Sequence, residues 1–474
     1  MRPLVWFRSD LRRRDNTALI EACDAATNGV VAVFTVCPEQ WRQHDWGAKR
    51  VNFLLRNLRD LSDGLARLNI PLKIITTPEF DGVPKSLLQL ARQHECTALY
   101  FNKEYEVNEQ RRDESVETLF HDHDLKVSSY DDQVIIPPGD VRTKEGRWYT
   151  VFTPFKKSWL TRLDDIGGVD VRRAPRKQAE VDIKPDPVPD AVKGFDGADD
   201  RADLWPEGEA HAKRRLDAFI ESRINEYDER RDAPAVNGTS TLSPYLTHGV
   251  LSPRECLEHA LDVASKGGAG DGGPSVWISE LIWREFYKHL LVGYPKLSMG
   301  RAFKPATERL DWNDDEDAFD AWREGRTGYP IVDAAMRQLS QTGWMHNRLR
   351  MVVAMFLTKD LFIDWRWGER HFMQTLVDGD VSSNNGGWQW SASTGTDAAP
   401  YFRIYNPVTQ GQRHDPEAAF IKTFLPQFES TSAKHAHEPW TMPKSDRDAL
   451  DYPERMVDHA SARERAIEAF KALS

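Results

Sequence analysis

The first third of the chain alternates short apolar runs with longer amphipathic ones. LVWF, VVAVFTV (30–36), PLKIITT (71–77), ALYFN (98–102) and VSSYDD are strand-like, and VNFLLRNLRDLSDGLARLN between them has its apolar residues at helical spacing. Strands alternating with helices predict a parallel α/β sheet over residues 1–135. From residue 207 to 474 the spacing is helical. EGEAHAKRRLDAFIESRINEYDERRD, SVWISELIWREFYKHLLVGYP and YPIVDAAMRQLSQTGWMHNRLRMVVAMFLTKDLF all repeat near 3.6 residues, and no strand pattern interrupts them. Residues 136–206 read as an inter-domain linker, most clearly 171–205, which is rich in Pro, Asp and Lys and has no period. The expected fold is a parallel-sheet α/β domain, a long linker and a larger all-helical domain.

Composition narrows the setting. A chain of 474 residues is comfortable for two domains. It has no 18-residue apolar run and no apolar leader after MRPLVWFRSD, so neither a membrane helix nor a signal peptide is expected. The four cysteines are scattered, which argues against a disulfide framework or a metal site and suits a reducing cytoplasm. A formal net charge of −11 means that any nucleic acid must meet a local basic face on an acidic body. Nine of the 16 tryptophans fall between Trp277 and Trp390, so one region carries the aromatic load.

That region holds the densest candidate chemistry. TLVDGDVSSNNGGWQW combines two carboxylates (Asp378, Asp380), two amides (Asn384, Asn385), adjacent glycines and two indoles (Trp388, Trp390). Close backbone approach at Gly, flat aromatics and carboxylate acceptors suit a ring-bearing cofactor. A capped turn before a buried aromatic helix is the alternative. GTSTLSP (238–244) crowds hydroxyls before a helix, either as an anion site or as an ordinary cap at Ser243. WISELIWREFYKH sets Glu280 beside Trp283 and Arg284, and WMHNRLRM gathers Asn347, Arg348 and Arg350; nucleobase and phosphate contacts compete with plain surface pairs in both. In the first domain, TVCPEQWRQHDW reads as a loop carrying His44, and Asn108 and Glu109 lie just past a strand, where Asn108 could also cap a helix. No GxGxxG follows the first strand, so a Rossmann dinucleotide site is unsupported.

WREFYKH, GYPIVDAAMRQL, TGWMHNRLRM and DGDVSSNNGGWQWSASTGTDA together resemble the DNA photolyase–cryptochrome family, specifically its bacterial cyclobutane pyrimidine dimer photolyases with a folate antenna. The resemblance runs from LVWFRSDLRRRDN to TGTDAAPYFRIYNP. It implies light-driven dimer repair with FAD in the helical domain. Tyr227, Thr239, Ser240, Thr241, Leu242 and Ser243 would hold its diphosphate and ribityl side. Asp378, Gly379 and Asp380 would hold the ring and sugar side, with Arg350 paired to Asp378 and Asn384 facing the reactive ring nitrogen. Trp388, Trp365 and Trp312 match the family's electron-transfer chain. Glu280, Trp283, Asn347, Met351 and Trp390 would line the pocket for a flipped-out dimer, while Arg231, Arg284, Arg348 and Gln410 would hold the flanking DNA. His44, Asn108 and Glu109 match positions that bind 5,10-methenyltetrahydrofolate. Ser298-Met299 stands where similar photolyases carry Cys-Lys, which implies a weakened folate site. Asn347 and Met351, where a (6-4) photolyase would show histidines, favour the cyclobutane lesion; Asn384 and the lack of a long signalling tail favour repair over photosensing. UV-damaged DNA is the expected partner of a cytoplasmic monomer that needs no protein partner and no membrane.

Overall fold

All five strand-like runs of the first third become strands. The structure, a computed structural model, describes residues 1–197, 201–267 and 272–473; linker positions 198–200 lie outside the described residues. β1 (Pro3–Phe7), α1 (Thr17–Ala25), β2 (Val31–Val36), α2 (Pro38–Gln43), α3 (Ala48–Ala66), β3 (Leu72–Thr76), α4 (Val83–Gln93), β4 (Ala98–Asn102), α5 (Val107–His121) and β5 (Lys126–Tyr130) follow one another. The strands pair in parallel in the order β3-β2-β1-β4-β5. β1, β2 and β4 are buried along their whole length, as continuous apolar runs in a covered parallel sheet should be. The serine-bearing KVSSY takes an edge, where one side needs no partner strand.

The rest of the chain is helical. The 136–206 region contains a full helix, α6 (Phe152–Asp165). Then come α7 (Glu209–Ser222), α8 (Tyr227–Arg230), α9 (Ser243–Thr247), α10 (Pro253–Gly267), α11 (Gly273–Gly293), α12 (Glu316–Arg323), α13 (Pro330–Thr342), α14 (Asn347–Met355), α15 (Trp365–Thr375) and α16 (Val381–Ala392). Shorter helices lead to a last one at His459–Lys471. Contacts group the chain into two units, Met1–Asn225 with Ser240–Pro295 and Val377–Gly379, and Glu226–Thr239 with Lys296–Leu376 and Asp380–Ser474. α10 and α11 therefore belong to the unit that holds the α/β sheet, although their spacing is as helical as that of the second unit.

Where the continuous helical reading of 329–362 breaks, the cause is local. Gly343 ends α13 in the left-handed region at φ 70°, and His346 starts α14 by accepting the Arg348 N–H on its ring nitrogen at 3.2 Å. Beyond α14 the turn widens into a π-helix at Phe356–Asp360. This buries Lys359, whose ammonium donates to Ala392 O and Ser393 Oγ at 3.0 Å each and lies over the Phe470 ring; burial drives its pKa well down.

The first unit is held by buried charge as well as by its sheet. Asp132 has no solvent exposure and binds Arg12 and Arg254, the latter at 2.7 Å. Arg254, on α10, also reaches Asp15 at 2.9 Å. Burial alone would raise the Asp132 carboxyl, but the two guanidiniums hold it down at about 2. Breaking such a pair leaves an uncompensated ion, so Asp132→Ala should cost about 3–5 kcal/mol in chemical denaturation. Because the folded pKa lies below the unfolded value of about 3.9, this contribution is complete above that value and drains as pH falls towards 2. A variant that loses under about 1 kcal/mol, or that shows the same acid sensitivity as the parent, would refute this account.

Candidate functional site

Polar residues beyond the carboxyl ends of β2 and β4, the strands that flank β1, meet in one cluster. TVCPEQWRQHDW is not the loop its sequence suggests. Pro38 opens α2, and His44 is its C-cap. His44 Nδ1 lies 3.2 Å from Glu109 Oε1, and its Nε2 lies 3.0 Å from the side-chain amides of both Asn108 and Gln40. With the proton on Nδ1 donated to Glu109, Nε2 accepts from the amides. Burial opposes a charged His44, but the hydrogen bond and charge of Glu109 carry its pKa above the usual value. Asn108 does not cap α5; Glu106 is at that position, and the Asn108 side chain turns to His44 instead. The second carboxylate oxygen of Glu109 is buried with no hydrogen-bond partner in the protein. That orphaned acceptor, beside an amide and an imidazole, could take an N–H donor of a pterin ring.

The hydroxyl-rich turn also differs from its expected form. Leu242, not Ser243, precedes α9, and no side chain caps it. Thr241 is held at φ 51°, and its hydroxyl accepts from Arg215 at 2.8 Å. Ser240 and Ser243 are half-buried, Leu242 is buried, and α9 holds the 377–379 loop through Thr247 Oγ1 to Asp378 O (3.3 Å) and His248 Nε2 to Val377 O (3.3 Å). Asp378 and Gly379 are buried. Hydroxyl and guanidinium donors suit a diphosphate, and a buried carboxylate acceptor suits the hydroxyl and N–H groups of a dinucleotide.

α11 carries three of the expected residues along one stretch. Glu280 and Trp283 are half-buried, and Arg284 donates to Gln133 O at 2.6 Å. Arg284 is therefore tied to backbone of its own unit. Trp283 lies flat against Phe152, with ring centroids 3.6 Å apart and planes inclined by 7°. Phe152 was not marked by its sequence, because nothing in VFTPFKKSW singles out one ring from the next.

In the second unit, Tyr227 is buried, half-buried Thr239 belongs to the same group of contacts, and Arg231 lies over the Tyr227 ring at 5.2 Å. Asn347 opens α14 exposed to solvent. Arg348 is not an isolated cation. Its Nη2 lies 2.6 Å and its Nε 3.3 Å from the two carboxylate oxygens of Asp232, while Nη1 points at Met351 Sδ at 3.8 Å. Burial works against the Asp232 charge, but Arg348 and Arg231 hold the carboxyl below its usual range. Arg350 donates to Met345 O at 2.9 Å, and Gln410 is half-buried on the helix Pro407–His414.

α16 sorts the two adjacent asparagines into different tasks. Asp380 caps the helix through the Ser383 N–H at 2.9 Å. Asn385 bonds Glu369 Oε1 and Gln389, and Gln389 in turn binds the Arg301–Phe303 backbone, so this pair is structural. Asn384 gives its N–H to Glu369 O at 2.9 Å, which fixes the direction of its amide. A Cβ at Gly387 would meet nothing within 4 Å, so this face of the helix is open. Trp388 is buried against Gly368, where a Cβ would lie 2.1 Å from the indole; no larger residue fits there without moving the ring. Trp365 is buried, and Trp312 and Trp390 are half-buried. Trp388, Trp365 and Trp312 share one hydrophobic cluster. Among the described residues no three His, Cys, Asp or Glu side chains gather as a metal site, and no helix is long and apolar enough to cross a membrane.

Comparison with known proteins agrees with this geometry. Residues 3–178 match the family model for DNA photolyase, and 277–472 match the FAD binding domain of DNA photolyase. The deoxyribodipyrimidine photo-lyase of Vibrio cholerae is 45% identical over 473 residues, covering 99% of both chains. A class III photolyase from Agrobacterium tumefaciens superposes with a TM-score of 0.88 at 34% identity, over 99% of this chain and 97% of that one. A Synechocystis cryptochrome is similar in fold at 27% identity and a TM-score of 0.86, covering 98% and 99%. Full-length likeness of this order, with an α/β sheet, a helical FAD-binding domain and a donor set suited to the flavin nucleotide, places the chain in the DNA photolyase family, the FAD enzymes that repair cyclobutane pyrimidine dimers in DNA.

Proposed function

We propose that this chain repairs dimers with the residues its sequence singles out, each in a defined role. Tyr227, Thr239–Ser243, Asp378–Asp380, Arg350 and Asn384 hold FAD, which when bound supplies the light-excited one-electron donor. The Asn384 amide, oriented by Glu369 O, presents its carbonyl oxygen as an acceptor for a ring N–H. Trp388, Trp365 and Trp312 conduct electrons inward from the surface. The observation that carries this reading is their place in one hydrophobic cluster, with Trp388 and Trp365 both buried, at 3% and 1% exposure, and Trp312 half-buried against it.

Glu280, Trp283, Asn347, Met351 and Trp390 receive the lesion. The two indoles stack on the flipped pyrimidines, and Glu280 hydrogen-bonds their polar edge, where negative charge develops during ring opening. A dimer is already poorly stacked, so its extrusion costs less than that of a normal base. Arg231, Arg284, Arg348 and Gln410 hold the flanking strand, mainly through phosphate. His44, Asn108 and Glu109 hold a folate-type antenna, supported by the orphaned Glu109 oxygen; exposed Met299 in place of a lysine leaves the folate tail without a charged contact. The protein works as a cytoplasmic monomer.

Trp388→Phe should lower photoreduction of the oxidised protein more than about tenfold, while chemically reduced protein repairs at the parental rate; flash photolysis and a repair assay read the two separately. Equal loss in both assays would remove Trp388 from the conducting role. Arg348→Ala should weaken binding to damaged and undamaged DNA alike and flatten the salt dependence by about one unit, as measured by titration at several ionic strengths; an unchanged slope would clear Arg348 of phosphate contact. Glu109→Gln should weaken methenyltetrahydrofolate binding by about tenfold or more, since one buried acceptor pair is lost. Absorbance of the reconstituted protein would show it, and undiminished folate uptake would exclude the site.

A further inference from the structure

Phe152 has an arrangement that packing alone does not favour. Its ring is parallel to the Trp283 indole within 7°, with centroids only 3.6 Å apart. Aromatic pairs prefer offset or edge-to-face geometry to a face-to-face sandwich, so the surroundings must hold this one. They do so through α6 and α11. Phe152 meets Phe286 edge-on at 5.8 Å, and Phe155 packs on Phe286 at 5.1 Å. One turn further along α6 Lys156 donates to Ser279 at 2.6 Å, and two turns along Trp159 donates to Glu285 at 2.7 Å. Phe152 is 8% exposed, whereas the indole it covers is half-buried.

We propose that Phe152 is a positioning residue for lesion recognition: by covering one face of Trp283 and fixing its plane, it leaves the opposite face as the stacking surface for a swung-out pyrimidine. This rests on the reading of Trp283 as a wall of the dimer pocket. Phe286 and Tyr287 also meet the indole, at 5.6 Å each, but at 79° and 33° to its plane, so without the parallel Phe152 ring it can tilt about its side-chain torsions, and the order it must gain on stacking then weighs against binding. Undamaged duplex, held through phosphate, does not call on the ring. Phe152 therefore raises the preference for dimers over normal DNA without touching either.

The test uses the full-length FAD-loaded protein in darkness, with an oligonucleotide carrying one thymine dimer and its undamaged twin. Phe152→Ala should weaken dimer binding about three- to tenfold and leave the affinity for undamaged DNA unchanged. Phe152→Leu keeps the bulk that docks α6 but lacks a flat face, and should show the same loss of preference. Phe152→Tyr should retain the preference. In a Trp283→Ala background the Phe152→Ala change should cost nothing more. An equal loss for both DNAs, a loss that persists without Trp283, or parental dimer affinity in Phe152→Leu would each overturn the proposal. If Trp283→Ala itself leaves dimer affinity intact, the pocket reading fails and the proposal with it; a Trp283→Ala loss alone overturns the proposal and spares the pocket.

Discussion

Glu285 is 1% exposed, and the first unit is arranged to satisfy it. It accepts the backbone N–H groups of Ile135 and Ile136 and the indole N–H of Trp159. Burial pushes its carboxyl up to about 7 against the pull of these donors. A buried carboxyl is tolerable only with such partners, so the chain segment after β5 and the helix α6 are committed to α11. Arg284 and His289 reinforce the tie through Gln133 O and Ile136 O. Trp283 and Glu280 thus stand on a helix fixed by hydrogen bonds to backbone distant in sequence, and the rigid support that the proposed lesion pocket needs is present on this helix.

Much of the fold could be read in advance because parallel strands must be apolar on both faces. The runs at 30–36 and 98–102 differ from β2 and β4 by a residue at most. Features that depend on contacts distant in sequence were hidden. Asn384 and Asn385 are identical side chains, and only Glu369, on another helix, separates one that is structural from one whose amide is aimed. The helix at His44 was masked by a polar sequence that reads equally as a loop, although Pro38 at its first turn was a usable signal. Phe152 could not have been found, since its partner lies on a different helix.

Among the candidate residues, motif positions were legible and their neighbours were not. WMHNRLRM shows an arginine but not that Asp232 occupies two of its nitrogens. DGDVSSNNGGWQW shows an indole but not that it rests on Gly368. In both cases the chemistry lies in one motif and its constraint in another, and a linear pattern records only the first.

The Asp232–Arg348 pair bears on how an acidic protein inspects a long duplex. A phosphate that reaches this guanidinium meets a carboxylate already in place and only partly shielded from water. Under the proposed phosphate contact, Asp232 would offset part of the attraction of Arg348 for any single phosphate, so ordinary DNA would be held less tightly here than by an unpaired guanidinium.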